Sequence, residues 1–110
     1  MARGDVLLVD LPFSEKREQS GRRPAVAVQT DLTGEPMLMI APITSNSKAL
    51  RFKFAVQIEP SPENGLDVPS VVMIFQMRSM DKSRVLKQIG RLSDEDMRRV
   101  DTEIWKMLQP

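Results

Sequence analysis

Arg23, fixed directly before Pro24, and the hydroxyl pair Thr44-Ser45, just past Pro42, are the side chains of this sequence best suited to hold a phosphate. A guanidinium neutralises phosphoryl charge, and neutral hydroxyl donors hold a second oxygen. The chain contains no His and no Cys, which removes the commonest general base, the commonest metal ligand and every thiolate nucleophile. Phosphate chemistry here would fall to Arg, Thr, Ser and carboxylates. A plainer use also stands: in Pro42-Ile43-Thr44-Ser45-Asn46-Ser47 one or two hydroxyls suffice to cap a turn at a strand exit.

A second polar signal precedes Pro24. The stretch 12–23 is polar, with charges of both signs, and reads as a long exposed loop carrying Lys16, Arg17, Arg22 and Arg23. Four cations there could contact several phosphates of one strand. Composition favours a merely solvated loop, because Glu15 and Glu18 partly neutralise the cluster. Arg23 differs from the others, since the residue before a proline is steered into extended backbone at the mouth of the following strand.

The elements that would position these groups are short. Val6-Leu7-Leu8-Val9-Asp10-Leu11 reads as a mostly buried strand, and Pro24-Ala25-Val26-Ala27-Val28-Gln29 as a second. Thr33-Gly34-Glu35-Pro36 supplies turn chemistry before Met37-Leu38-Met39-Ile40-Ala41-Pro42, so the second and third strands should pair antiparallel. Phe52-Lys53-Phe54-Ala55-Val56-Gln57-Ile58 alternates in its second half, predicting a strand with one wet face. Val71-Val72-Met73-Ile74-Phe75 predicts a core strand continued by Gln76-Met77-Arg78. Two closing helices are expected. Asp81 would cap the first, with Met80 stapled to Val85 and Gly90 ending it; Ser93 would cap the second, with Asp96 at its third position and Leu92 stapled to Met97. Arg3-Gly4-Asp5 is best read as a turn into the first strand, and Asp94-Glu95-Asp96 as complements of a helix dipole.

Composition bounds the rest. The 110 residues, 41% hydrophobic and 28% charged, suit one globular domain spanning 1–110. Five aromatics against eight Met predict an aliphatic core and leave few rings for base stacking. Net charge is only +1, but Arg98, Arg99 and Lys106 against Asp94, Glu95, Asp96, Asp101 and Glu103 leave 93–110 at −2 and 1–92 at +3. A basic body with an acidic end fits a nucleic-acid-facing surface on one side. No apolar run approaches the roughly 20 residues of a membrane span, and the N-terminal residues do not resemble a signal peptide. The cytoplasm is the simplest location.

In order, Arg3-Gly4-Asp5-Val6, Glu18-Gln19-Ser20-Gly21-Arg22-Arg23-Pro24-Ala25-Val26, Pro42-Ile43-Thr44-Ser45 and Gln76-Met77-Arg78 resemble the MazF/PemK family of toxin ribonucleases. The resemblance implies a mainly β fold with α, an SH3-like antiparallel β-barrel of the CcdB/PemK kind with a C-terminal helix. It also implies a homodimer that cleaves single-stranded RNA without metal or other cofactor, held inactive by a cognate antitoxin protein. Carried over by position, Arg23 and Thr44 match the catalytic residues of one branch. Lys16, Arg17, Glu18, Gln19, Arg22, Ser45, Gln76 and Arg78 fall where RNA contacts are expected. In that mechanism the 2′-hydroxyl attacks the adjacent phosphorus, leaving a 2′,3′-cyclic phosphate and a 5′-hydroxyl.

Another branch keeps an Arg and an Asp before the Gln of Gln-x-Arg and a His in the first loop. Those positions are Met73, Phe75 and Arg17 here. Proton transfer would then rest on Arg23, and because an unperturbed guanidinium is a poor base, turnover should be slow. The alternative is a catalytically weak or inactive member that binds nucleic acid, or gyrase as CcdB does. Against the gyrase role, Trp105 is followed by Lys106-Met107-Leu108 in a helical pattern, which suits packing or a dimer edge.

Overall fold

The structure is a computed structural model that describes residues 1–11, 21–31 and 34–110. The candidate contacts Lys16, Arg17, Glu18 and Gln19 lie outside the described residues. Strands β1 (Asp5–Leu11), β2 (Gly21–Ala27), β3 (Met37–Thr44), β4 (Ala55–Ile58), β5 (Ser70–Met73), β6 (Arg78–Asp81) and β7 (Val85–Arg91) precede one helix, α1 (Asp94–Met107). Their hydrogen-bonded order is β4-β5-β3-β2-β1-β7, with β6 also on β3, and every pair is antiparallel. The mainly antiparallel β fold with a C-terminal helix is as expected. Among the described residues, however, β4 and β7 end the path unpaired with each other, so "barrel" describes the sheet only loosely.

Strands β1, β2 and β3 are apolar on both faces. Val6, Val26, Ala41 and Ile43 join Val56, Ile58, Val72 and Ile74 beneath Met97 and Val100 of α1. The alternate residues Leu7, Val9, Ala25, Ala27, Leu38 and Ile40 form a second cluster with Met80. Side chains of a strand point to opposite faces in turn, so this double burial explains why β1 reads as a continuous apolar run.

Strand β3 has β2 on one side and two short strands, β5 and β6, on the other. From Ile43↔Val72 to Ile40↔Arg78, β3 advances three residues while its partner chain advances six. The surplus is spent in a 3₁₀ turn, Ile74–Gln76. Extra residues of this kind bend a strand and re-aim its side chains.

Several expectations need correction. The first closing helix does not form: Asp81 caps only a 3₁₀ turn, Lys82–Arg84, by accepting from the Ser83 N–H at 2.8 Å, and Val85–Arg91 becomes β7 on β1. The edge of β1 offers backbone partners that outweigh local helix signals. Gly90 has another purpose, since a Cβ there would stand 2.3 Å from the Asn64 carbonyl carbon. The fourth strand starts at Ala55 because Phe54 has φ of 62°, and the fifth ends at Met73 rather than Phe75. Residues 21–23 belong to β2, not to a loop. Trp105 is 68% exposed, so it does not pack within the chain.

The second helix forms as expected, with the Ser93 hydroxyl accepting from the Asp96 N–H at 3.0 Å and Leu92 and Met97 in one cluster. Arg3-Gly4-Asp5 is the turn into β1. Gly4 has φ of 93°, a conformation that glycine adopts without steric cost, and the Asp5 N–H donates to the Ala2 carbonyl at 3.0 Å.

Candidate active site

The β2–β3 register brings the two central residues together. Ala27 pairs with Ile40, Val26 with Ala41 and Ala25 with Pro42, where the ladder stops. Proline has no N–H to continue it. Arg23 lies two residues before Ala25 and Thr44 two after Pro42, so strand alternation puts each on the face of that last pair. Twenty-one positions apart in sequence, they line one cavity of about 330 Å³.

Beyond Thr44 the chain leaves the sheet through a set of side-chain caps. The Asn46 N–H donates to Thr44 Oγ1 at 3.1 Å, and the Lys48 N–H donates to Asn46 Oδ1 at 3.0 Å, starting the 3₁₀ turn Ser47–Arg51. Turn capping and phosphate binding are therefore compatible uses of Thr44. Its oxygen accepts from backbone, and its O–H hydrogen supplies a donor. The turn is seated by Ala49, which packs with Val71 and Met73 in a small separate cluster.

The opposite wall comes from the surplus residues between β5 and β6. Phe75 and Gln76 line the cavity from the 3₁₀ turn, and Met73 from the end of β5. Of the sequence-predicted residues, Arg23, Thr44, Ser45 and Gln76 meet there. Arg22 and Arg78 are exposed but do not line it. Arg22 follows the opposite phase of β2 and pairs with Asp10, while Arg78 opens β6 opposite Ile40.

The other wall residues, among them Lys48, Arg51, Phe52 and Phe75, were not proposed as contacts from sequence. Asn46-Ser47-Lys48 carried a usable signal, because an Asx cap after a strand exit folds the next residues back beside it. With Arg23, Lys48 and Arg51, the lining holds three cations and, among the described residues, no carboxylate. Such a site attracts polyanions and stabilises charge developing on phosphoryl oxygens. Met73 and Phe75 bring apolar surface to the same wall.

Comparison with known proteins bears on the family and the fold. Residues 2–108 match the family described as PemK-like, MazF-like toxin of type II toxin-antitoxin system. The endoribonuclease MazF of Staphylococcus saprophyticus is 37% identical over 106 residues, covering 94% of this chain and 88% of that protein. Crystalline MazF of Deinococcus radiodurans is 26% identical with a TM-score of 0.74, covering 98% of this chain and 96% of that one. A mycobacterial endoribonuclease solved in complex with its cognate antitoxin shares the fold at TM-score 0.74 and 17% identity, covering 98% and 92%. Matched along nearly its whole length in sequence, and with the same strand-and-helix arrangement in three dimensions, this chain belongs to the PemK-like, MazF-like toxins of type II toxin–antitoxin systems.

Proposed function

We propose that this chain is a toxin endoribonuclease that cleaves single-stranded RNA at the Arg23–Thr44 cavity. The observation that carries this reading is the meeting of Arg23 and Thr44 in a cation-lined cavity with no described carboxylate in its wall. The substrate's 2′-hydroxyl attacks the adjacent phosphorus and the bond to the 5′-oxygen breaks, giving a 2′,3′-cyclic phosphate and a 5′-hydroxyl. Arg23 stabilises the equatorial oxygens and relays the proton, and Thr44 donates to one of those oxygens. This route uses no metal. Ser45 and Gln76 hold the nucleotide at the cavity, while Arg22 and Arg78 contact phosphates outside it. Lys16, Arg17, Glu18 and Gln19 extend the contact along the strand.

A cognate antitoxin is the expected protein partner, supported by the complex formed by the mycobacterial relative. A homodimer is supported by Trp105 and Leu108, exposed on and beside α1. The test is cleavage of a panel of single-stranded RNAs in EDTA, with end-group analysis. Wild-type protein should leave cyclic phosphate ends, and Arg23→Ala should lose on the order of 10²–10³-fold in rate. Folded wild type that leaves every RNA intact overturns the nuclease; activity that EDTA removes overturns the metal-free route. A gyrase assay separates the alternative, since a stalled supercoiling reaction would replace RNA cleavage with poisoning.

A further inference from the structure

The chain has four Phe and one Trp, yet two of those five rings meet at the cavity. Phe52 and Phe75 have centroids 5.1 Å apart at 40°, and the Arg51 guanidinium carbon lies 5.1 Å from the centre of the Phe52 ring. Burial does not account for Phe52, which is 48% exposed. A large ring left in water beside three cations has a use other than the core.

The backbone is shaped to hold it there. Phe54, at φ of 62°, is the one non-glycine described with positive φ. A bulky residue in that region is strained, and such strain collects at functional sites. Its ring packs against the main core while Phe52 faces the cavity. The Phe54 carbonyl accepts from the Phe75 N–H at 3.3 Å, which ties the two ring-bearing segments together.

We infer that Phe52 and Phe75, with Arg51 over the Phe52 ring, form a stacking seat for the nucleobase next to the scissile phosphate. The inference rests on the cleavage reading above and adds to it the surface on which the base stacks. Aromatic faces and guanidinium planes hold unpaired bases by stacking, whatever their identity. Cations on the same wall hold the attached phosphate. Only a single strand offers both, since a duplex keeps its bases stacked on each other. Gln76, exposed beside Phe75, reaches the edge of the seated base with its amide.

Fluorescence titration with a single-stranded 2′-O-methyl oligonucleotide carrying 2-aminopurine tests this, because the probe has no free 2′-hydroxyl to attack. Wild type should bind it and quench the fluorophore. Phe52→Leu keeps apolar bulk at an exposed site; with its melting temperature checked, it should bind on the order of tenfold more weakly and lose the quench. Phe52→Trp should keep both. Phe52→Leu that binds and quenches like wild type overturns the seat, even if RNA is cleaved normally. Quenching that depends on Phe52 in a protein that cleaves no RNA keeps the seat and removes the nuclease.

Discussion

The two ends of the molecule solve opposite problems. At one end the loop after β4 packs against β7 with almost no slack: Asn64, 2% exposed, accepts from the Ser61 and Leu66 N–H groups at 3.1 and 2.9 Å and donates to the Glu59 carbonyl at 2.9 Å. Two glycines allow the approach, since a Cβ on Gly65 would stand 2.1 Å from the Ile89 carbonyl oxygen and one on Gly90 2.3 Å from Asn64. Nearby, Arg91 donates to the buried Asp5 at 2.7 Å. At the other end Arg23, Lys48 and Arg51 gather around a half-open cavity without a described acid in its wall. Satisfied polar groups and close backbone contact hold the fold; gathered like charge and an exposed ring suit a ligand.

That contrast predicts separable losses. Arg23→Ala should cost the most activity, on the order of 10²–10³-fold in kcat, with the melting transition kept; Thr44→Val should follow it and Thr44→Ser should recover part of the rate. Gly90→Ala should do the reverse, costing about 3 kcal/mol by pushing a methyl into backbone, read as a fall of roughly 10 °C or more in Tm. If Gly90→Ala melts like wild type, the packing contrast fails. Smaller again, Lys48→Gln or Arg51→Gln should each lower the salt slope of RNA binding by about 0.7 and leave Tm little changed.

The smallest effect belongs to neither end. A hydrogen bond from the Ser83 N–H holds the exposed Asp81 carboxyl below its usual value. A carboxylate depressed by folding adds stability above its unfolded pKa and loses it as pH falls through the folded one. Asp81→Asn should therefore lower Tm slightly at neutral pH and converge on wild type below about pH 4, where the wild-type carboxyl loses its charge.

Legibility in the sequence followed the range of the forces involved. β1, β2, β3 and α1 were readable because apolar alternation, turn residues and the Ser93 cap act within a few residues. The segment 82–91 was not. Its Asp81 cap is real but serves one 3₁₀ turn, and the strand that follows is fixed by hydrogen bonds to β1, some 80 positions away. The cavity divides in the same way. Arg23 and Thr44 could be singled out by residue type and by family resemblance, whereas Lys48, Arg51 and Phe52 entered through a turn whose fold-back depends on Asn46, and Phe75 through the surplus residues between β5 and β6.

By itself, then, the sequence determined which groups could meet a phosphate, excluded histidine and cysteine chemistry, and marked the family through an ordered set of short motifs. Only the tertiary structure decided that Arg23 and Thr44 line one cavity and that rings stand beside cations. Those placements depend on strand register and on a three-residue surplus against β3, which are set by pairing between distant segments and leave no local pattern to read.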